Sequence, residues 1–386
     1  MNAPPRPTPV NAVDPETFRD MCRRFAAAEA APRWQQADAS RSFPRDFYAA
    51  CAAAGLIGIS APEAVGGSAL GCVEEAICME EVARVNPNLA VTILVQNVAN
   101  QLLYDFGTDE HRRIAAANIA GETLLAIAVT EPDAGNDVQA VRVSARRTEA
   151  GDWRLDGLKA FITLGGDADV LVLLAQTDPE RGRHGMQFFA VDRNTPGLRT
   201  SQIAAYVNRP APTYRVILDD VPVPESRRLK AGFSQIMAGF NRERIMVAAR
   251  WLGHMRHAQD WALDYARTRE QFGRPIGANQ SIGFLLAQNQ VDIEAVAHLT
   301  VHAARRWDSG LPIGDIIMDV STAKLLATQA VIRVTQNALH IGGGWGLTEE
   351  LPVMRMALDA LVAPVTVGST EIQLRAIARQ LGLPCD

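Results

Sequence analysis

The chain has 386 residues, 48% of them hydrophobic and 21% charged, with a formal net charge of -5. At roughly 150 residues per domain this is enough for two or three domains with well-filled cores. The mildly acidic balance lacks the basic footprint of a nucleic-acid binder, and no apolar run reaches the ~18 residues of a membrane span.

The first residues, MNAPPRPTPVNAVD, have no apolar stretch of signal-peptide type and read as a disordered tail over residues 1–13. The cysteines (Cys22, Cys51, Cys72, Cys78 and Cys385) are odd in number and form no CxxC pair. Free thiols in a reducing cytoplasm are the simplest expectation.

From 14 to 123 the chain reads helical. FRDMCRRFAAAEA, DFYAACAAAGL and CVEEAICMEEVARV repeat apolar residues at helical spacing, and Thr108 is a candidate N-cap for DEHRRIAAANIA. From 124 to 228 the texture changes to short segments rich in β-formers: LLAIAVT, VRVSARR, WRLDG, KAFITL, DVLVLLAQ, QFFAVD and YRVILDD. Their spacing predicts an antiparallel barrel or sandwich, with a hairpin at AVDRNTPGL where Asn194, Pro196 and Gly197 punctuate two strands. From 229 to 386 long helices return. The first runs over thirty residues from Phe233 without a proline, and two more long ones follow, which predicts a helical bundle. Strands cluster rather than alternate with helices, so the class is α+β and not doubly wound.

Few segments carry chemistry. In AVTEPDAGND (Ala128 to Asp137) a strand ends on a hydroxyl residue and turns through Pro, small residues and Asn. Gly135 is expected to adopt angles that a larger residue resists, exposing amide N–H groups to an anion or a ring edge; a plain β-turn is the bland alternative. His254 and His257 stand three apart, His298 and His302 four apart, but no cysteine or carboxylate completes either set, and no metal site is expected. GxSxG and the phosphate-loop pattern are both missing.

Five stretches in order carry a resemblance to the acyl-CoA dehydrogenase family. AVTEPDAGNDVQA is similar to its first signature and GGGWGLTEELPVMRMALD to its second. GLIGISAPEAVGGSALG, VPVPE (Val221 to Glu225) and TREQFGRPIGANQ (Thr268 to Gln280) resemble its N-terminal, β-domain exit and bundle motifs. The resemblance implies a helical domain, a β-domain and a four-helix bundle. It also implies FAD held between β-domain and bundle, with a neighbouring subunit of a homodimer or homotetramer covering the adenosine end.

Residue by residue, the resemblance implies that Thr130 donates to the pyrimidine side of the flavin. In KAFIT, Phe161 would pack on the ring, replacing the more usual Trp, and Thr163 would approach N5 and O4. Gly135 and Asn136 occupy the pyrophosphate turn, Asn136 in place of Ser or Thr. Arg269, Gln271, Phe272 and Gln280 match positions reaching FAD across a dimer, where an arginine fork suits a diphosphate. His340, where Gln is usual, Gly343 and Gly344 match the second signature, and Ser369 and Glu371 the "EGT" stretch.

At the catalytic position the chain departs from most of the family. The glutamate before the glycine of "EGT" is Val367, which offers only its backbone N–H to a thioester carbonyl. The isovaleryl-CoA and long-chain enzymes carry their base on the first bundle helix before an arginine; here that residue is Glu243, followed by Arg244. A carboxylate beside an apolar acyl chain would have a raised pKa suited to a general base. The bland reading pairs Glu243 with Arg242 or Arg244. Arg244 and Thr366 are the expected substrate contacts. The activity expected from the resemblance is α-proton abstraction from an acyl-CoA with β-hydride transfer to flavin N5, re-oxidised by an electron-transfer flavoprotein. Two alternatives stay open: an oxygen-dependent flavoenzyme acting on a CoA ester or small aromatic substrate, with O2 as co-substrate, and a silent FAD or acyl-CoA binder.

Overall fold

The computed structural model describes residues 9–385. The expected tail therefore lies outside the described residues for its first eight positions. Of the rest, the Val10 and Asn11 N–H groups donate to Ala69 O at 3.1 and 3.2 Å.

The helices before the sheet are α1 (Pro15–Phe25), α2 (Trp34–Ser40), α3 (Arg45–Ala53), α4 (Cys72–Ala83), α5 (Pro87–Phe106) and α6 (Asp109–Ile119). Asp14 caps α1 by accepting the Thr17 N–H, and Thr108 stands at the α6 N-cap, its N–H donated to His111 Nδ1. The strands are β1 (Leu125–Ala128), β2 (Ser144–Arg147), β3 (Trp153–Thr163), β4 (Val170–Gln176), β5 (Met186–Asp192), β6 (Leu198–Gln202) and β7 (Thr213–Val223). Then come α7 (Phe233–Thr268), a small hairpin of β8 (Glu270–Gln271) and β9 (Arg274–Pro275), and α8 (Gln280–Asp308), α9 (Ile313–Gly346), α10 (Val353–Ala360) and α11 (Thr370–Gln380).

The chain forms two compact units. The first holds residues 32–71 and 91–240 with the start of the chain. Its seven-stranded sheet has the order β1-β4-β2-β3-β7-β6, with β5 on β4. It is antiparallel except at β4, which β1 joins in parallel, Leu125 opposite Val170, and which β2 meets in parallel at a single pair, Ser144 opposite Gln176. β4 is buried on both faces. Val170, Val172 and Leu174 pack with Leu102, Leu103 and Ala115 of α5 and α6, while Leu171, Leu173 and Ala175 join Trp153, Phe189 and Val216 on the other side. That two-sided burial is why DVLVLLAQ reads as an unbroken apolar run.

Two expectations need correction. WRLDG and KAFITL are one strand, β3, kept continuous across a register shift at Gly157, whose φ of 138° suits only glycine. The strands around AVDRNTPGL do not pair with each other: β5 lies on β4 and β6 on β7. The turn instead passes close to β7, where a Cβ on Gly197 would meet Asp219 O at 2.2 Å.

The second unit holds residues 14–31, 72–90 and 241–386. Its helices α8 and α9 pack along their lengths, with α4, α10 and α11 against them. Here α1 and α4 lie with the bundle rather than with the other N-terminal helices, and polar side chains tie α4 and the head of α5 to it. The Asp308 carboxylate accepts the Cys72 and Val73 N–H groups at the head of α4, and Arg242 pairs with Glu75 at 2.5 Å. Arg250 donates to Pro87 O at 2.7 Å and Asn88 to Asp359 at 2.9 Å. No helix among the described residues is long and apolar enough to cross a membrane.

Candidate active site

In the first unit, β1 runs into Val129 and Thr130, then turns through an Glu131–Ala134 bridge. The Thr130 carbonyl accepts the Ala160 N–H at 3.0 Å, which ties this turn to β3. A buried ion pair fastens the same two segments: Lys159 Nζ donates to Glu131 Oε1 and to Val129 O, both at 2.8 Å. Glu131 also accepts the Arg142 and Val143 N–H groups.

Beyond Lys159 the register against β7 slips by one residue before Ile162. An extra residue in one strand breaks the alternation of faces and re-aims a side chain. Phe161 sits in that slip at φ 57° and is 64% exposed, between buried Ala160 and Ile162. A large apolar ring held outward in a strained backbone is not strand core. Thr163 and Thr130 are partly buried, and neither the Thr130 N–H nor its hydroxyl finds an acceptor among the described residues.

Gly135 departs from expectation. Its φ is not positive, and a Cβ there would meet nothing within 4 Å. The backbone therefore does not require glycine; what the missing side chain leaves is open room at the turn. Asn136 beside it is exposed.

In the second unit, Glu243 lies on α7 and is partly buried. It forms no hydrogen bond or ion pair among the described residues, because its neighbours are engaged elsewhere. Arg242 pairs with Glu75; Arg244 donates to Asn241 Oδ1 at 2.7 Å and to Val367 O at 3.4 Å. Burial pushes the Glu243 carboxyl up to about 7, with the Arg244 charge opposing the rise. The bland pairing with an adjacent arginine is thus not the geometry adopted.

The segment from Ala363 to Ser369 is gripped from beneath. Lys324 donates to Ala363 O at 3.2 Å and Gly368 O at 3.0 Å, and Gln373 to Gly368 O at 3.1 Å. Burial, with Arg244 nearby, pulls the Lys324 ammonium down to about 8. Val367 has φ 53°. For a β-branched residue that conformation costs about 1–3 kcal/mol and persists only where surroundings over-determine it, as these bonds do. The Val367 N–H is left without an acceptor among the described residues. Thr366 donates to Val362 O at 3.3 Å, so its hydroxyl serves the loop. Ser369 stands at the N-cap position of α11, and its hydroxyl bonds Glu371, holding that exposed carboxyl below its ordinary range.

Other expected contacts lie apart from Glu243 in the sequence. Arg269, Gln271, Phe272 and Gln280 are exposed on or next to the β8–β9 hairpin, Phe272 at φ 53° and 98% exposed. A cavity of about 600 Å³ beside it is lined by Leu263, Arg267, Pro275, Gly283 and Leu286. At the end of α9 Gly343 breaks the helix with φ 58° and ψ -144°, angles only glycine tolerates, and a Cβ on Gly343 or Gly344 would meet open space. His340 is exposed one turn earlier. Sequence reasoning assigned no role to Lys159, Glu131, Lys324 or Gln373. The only signal for Lys324 was a cation within the apolar face of STAKLLATQA.

The first unit thus presents an exposed ring at Phe161, unpartnered donors at Thr130 and open room at Gly135; the second, taken by itself, presents open space at Gly343 and Gly344 and an exposed Arg269. The comparisons with known proteins define the class as a flavin-dependent oxidoreductase. The model described as acyl-CoA dehydrogenase, N-terminal domain, matches residues 14–122, the middle-domain model 126–221 and the C-terminal-domain model 230–382. An acyl-CoA dehydrogenase of Bacillus subtilis is 36% identical over 374 residues, covering 94% of this chain and 97% of the relative. The structure of butyryl-CoA dehydrogenase from Megasphaera elsdenii superposes with a TM-score of 0.91 at 30% identity, over 97% of this chain and 99% of that one. A glutaryl-CoA dehydrogenase from Mycobacterium smegmatis in complex with FADH2 gives 0.91 at 25% identity, over 97% and 96%. The chain belongs to the acyl-CoA dehydrogenase family. It is an FAD-dependent oxidoreductase of acyl-CoA thioesters.

Proposed function

We propose that this chain removes the α-proton of an acyl-CoA with Glu243 and yields a 2-enoyl-CoA. The observation that carries the reading is a carboxyl with no partner, in surroundings that hold it near 7. Such a group is poised between its two protonation states at neutral pH, which is what a general base requires. The unpartnered Val367 N–H offers a donor to the thioester carbonyl, stabilising the enolate that forms as the proton leaves. Arg244, fastened to the Val367 carbonyl and to Asn241, positions that peptide rather than binding substrate directly. Bound FAD supplies the acceptor for the hydride leaving the β-carbon.

Thr130, Gly135, Asn136, Phe161 and Thr163 form one part of the FAD set, with Thr130 toward the pyrimidine edge. Arg269, Gln271, Phe272, Gln280, His340, Gly343, Gly344, Ser369 and Glu371 form the other. The exposed hairpin supports assembly as a homodimer or homotetramer in which it reaches a second copy. Electron-transfer flavoprotein is the proposed re-oxidant, and five free thiols support a cytoplasmic setting.

The test is anaerobic mixing of the FAD-loaded protein with a panel of acyl-CoAs while the flavin band is followed. Bleaching by one of them, lost in Glu243→Gln at unchanged FAD content, is the expected result. Bleaching that survives in Glu243→Gln removes Glu243 from the role. Bleaching only by a nicotinamide, followed by incorporation of labelled oxygen, replaces the dehydrogenase reading with the oxygenase one.

A further inference from the structure

Lys159 is wholly buried in the first unit, and no step above uses it. Its ammonium touches two acceptors, the Glu131 carboxylate and the Val129 carbonyl, each at 2.8 Å. The Val129 carbonyl and the Thr130 N–H are opposite ends of one peptide group. That N–H donates to nothing among the described residues, whereas the Thr130 carbonyl is fixed by Ala160. A cation on the oxygen of a peptide draws electron density toward itself and leaves the N–H at the far end a stronger donor. Since Lys159 and Glu131 together are neutral, their reach is short and falls mainly on the peptide the ammonium touches.

We propose that Lys159 is a positioning residue that acts through the Val129–Thr130 peptide, strengthening the Thr130 N–H toward the electron-rich edge of bound FAD and so favouring the reduced cofactor. The proposal rests on the placement of Thr130 beside the flavin given above. Burial lowers the Lys159 ammonium to about 8, with Glu131 opposing, so it remains charged at neutral pH. A buried ammonium with three donors takes a second acceptor in any case; what the proposal adds is that this acceptor belongs to a peptide whose far N–H is open.

The test compares the reduction equilibrium of FAD against a reference dye, at pH 7, in wild type, Lys159→Met, Lys159→Arg, Glu131→Gln/Lys159→Met and Thr130→Pro, the last removing the N–H itself. Visible absorbance reports FAD loading and circular dichroism the fold. The double variant keeps the neutrality of the pair and serves where Lys159→Met alone fails to fold. In the folded, loaded variants lacking the cation, the equilibrium should move about three- to tenfold toward oxidised flavin, the size of one ordinary hydrogen bond. Lys159→Arg should stay near wild type. An unchanged equilibrium in the double variant, with Thr130→Pro altering the flavin spectrum, overturns the relay and leaves residue 130 at the flavin. An unchanged spectrum and equilibrium in a folded, loaded Thr130→Pro, which has no N–H at that position, instead removes the Thr130 N–H from the flavin, and the relay with it.

Discussion

Glu131 and Glu243 are the same residue type in two opposed circumstances. Glu131, 7% exposed, accepts from Lys159 and from two backbone N–H groups. Glu243, also withdrawn from water, accepts from nothing among the described residues. A buried carboxylate with a full complement of partners serves the fold; one without partners, held near 7 as Glu243 is, is available for proton transfer. The contrast separates a carboxylate tied into the fold from one left open, without reference to sequence position. Each arginine beside Glu243 is committed elsewhere, and pairing either with Glu243 would lower its pKa.

The comparison breaks first at the buried pair. Lys159→Met or Glu131→Gln alone should destabilise the fold by about 3–5 kcal/mol, because each leaves an uncompensated charge. The double variant should lose less than the sum, and chemical denaturation reads the cycle. Additive losses would show that the two groups do not act together.

A smaller effect concerns Glu243. Its folded pKa lies above its unfolded value, so the stability it contributes is complete below about 4.5 and is lost as pH rises through about 7. Wild type should therefore lose about 1–3 kcal/mol relative to Glu243→Gln between pH 4.5 and 8. Over the same range kcat/KM should rise with a midpoint near 7. A flat difference in stability across that window would mean that Glu243 is solvated and ordinary.

The smallest effect belongs to Phe161. Phe161→Ala should change stability by no more than about 0.5 kcal/mol, since the ring is exposed, yet alter the FAD spectrum. The same change at Phe189, buried on the inner face of the sheet, should cost about 3–5 kcal/mol. A large loss at Phe161 would return it to the core.

Legibility in the sequence followed the range of the interactions concerned. The long helices α7 to α9 show in unbroken apolar periodicity, and β4 in its continuous apolar run, because both signals are local. The pairing of β5 and β6 does not, since a turn shows where the chain bends and not which strand lies alongside. Gly135 differs from expectation for a related reason: a glycine is visible, but whether it serves φ or empty space depends on neighbours brought from elsewhere. The family motifs single out Thr130, Phe161 and Glu243 as candidates, yet Lys159, inside one of them, carries no signal of its own. Nothing in the letters marks a lysine as fully buried.

The sequence by itself determined the class of fold, the cofactor family and the absence of a carboxylate at position 367, because these rest on residue types and their order. The tertiary structure alone decided that Glu243 is unpaired, that Val367 is held at positive φ by Arg244, Lys324 and Gln373, and that a one-residue slip against β7 turns Phe161 outward. Each of these depends on partners far away in the chain, whose distances and desolvation exist only once the fold is made.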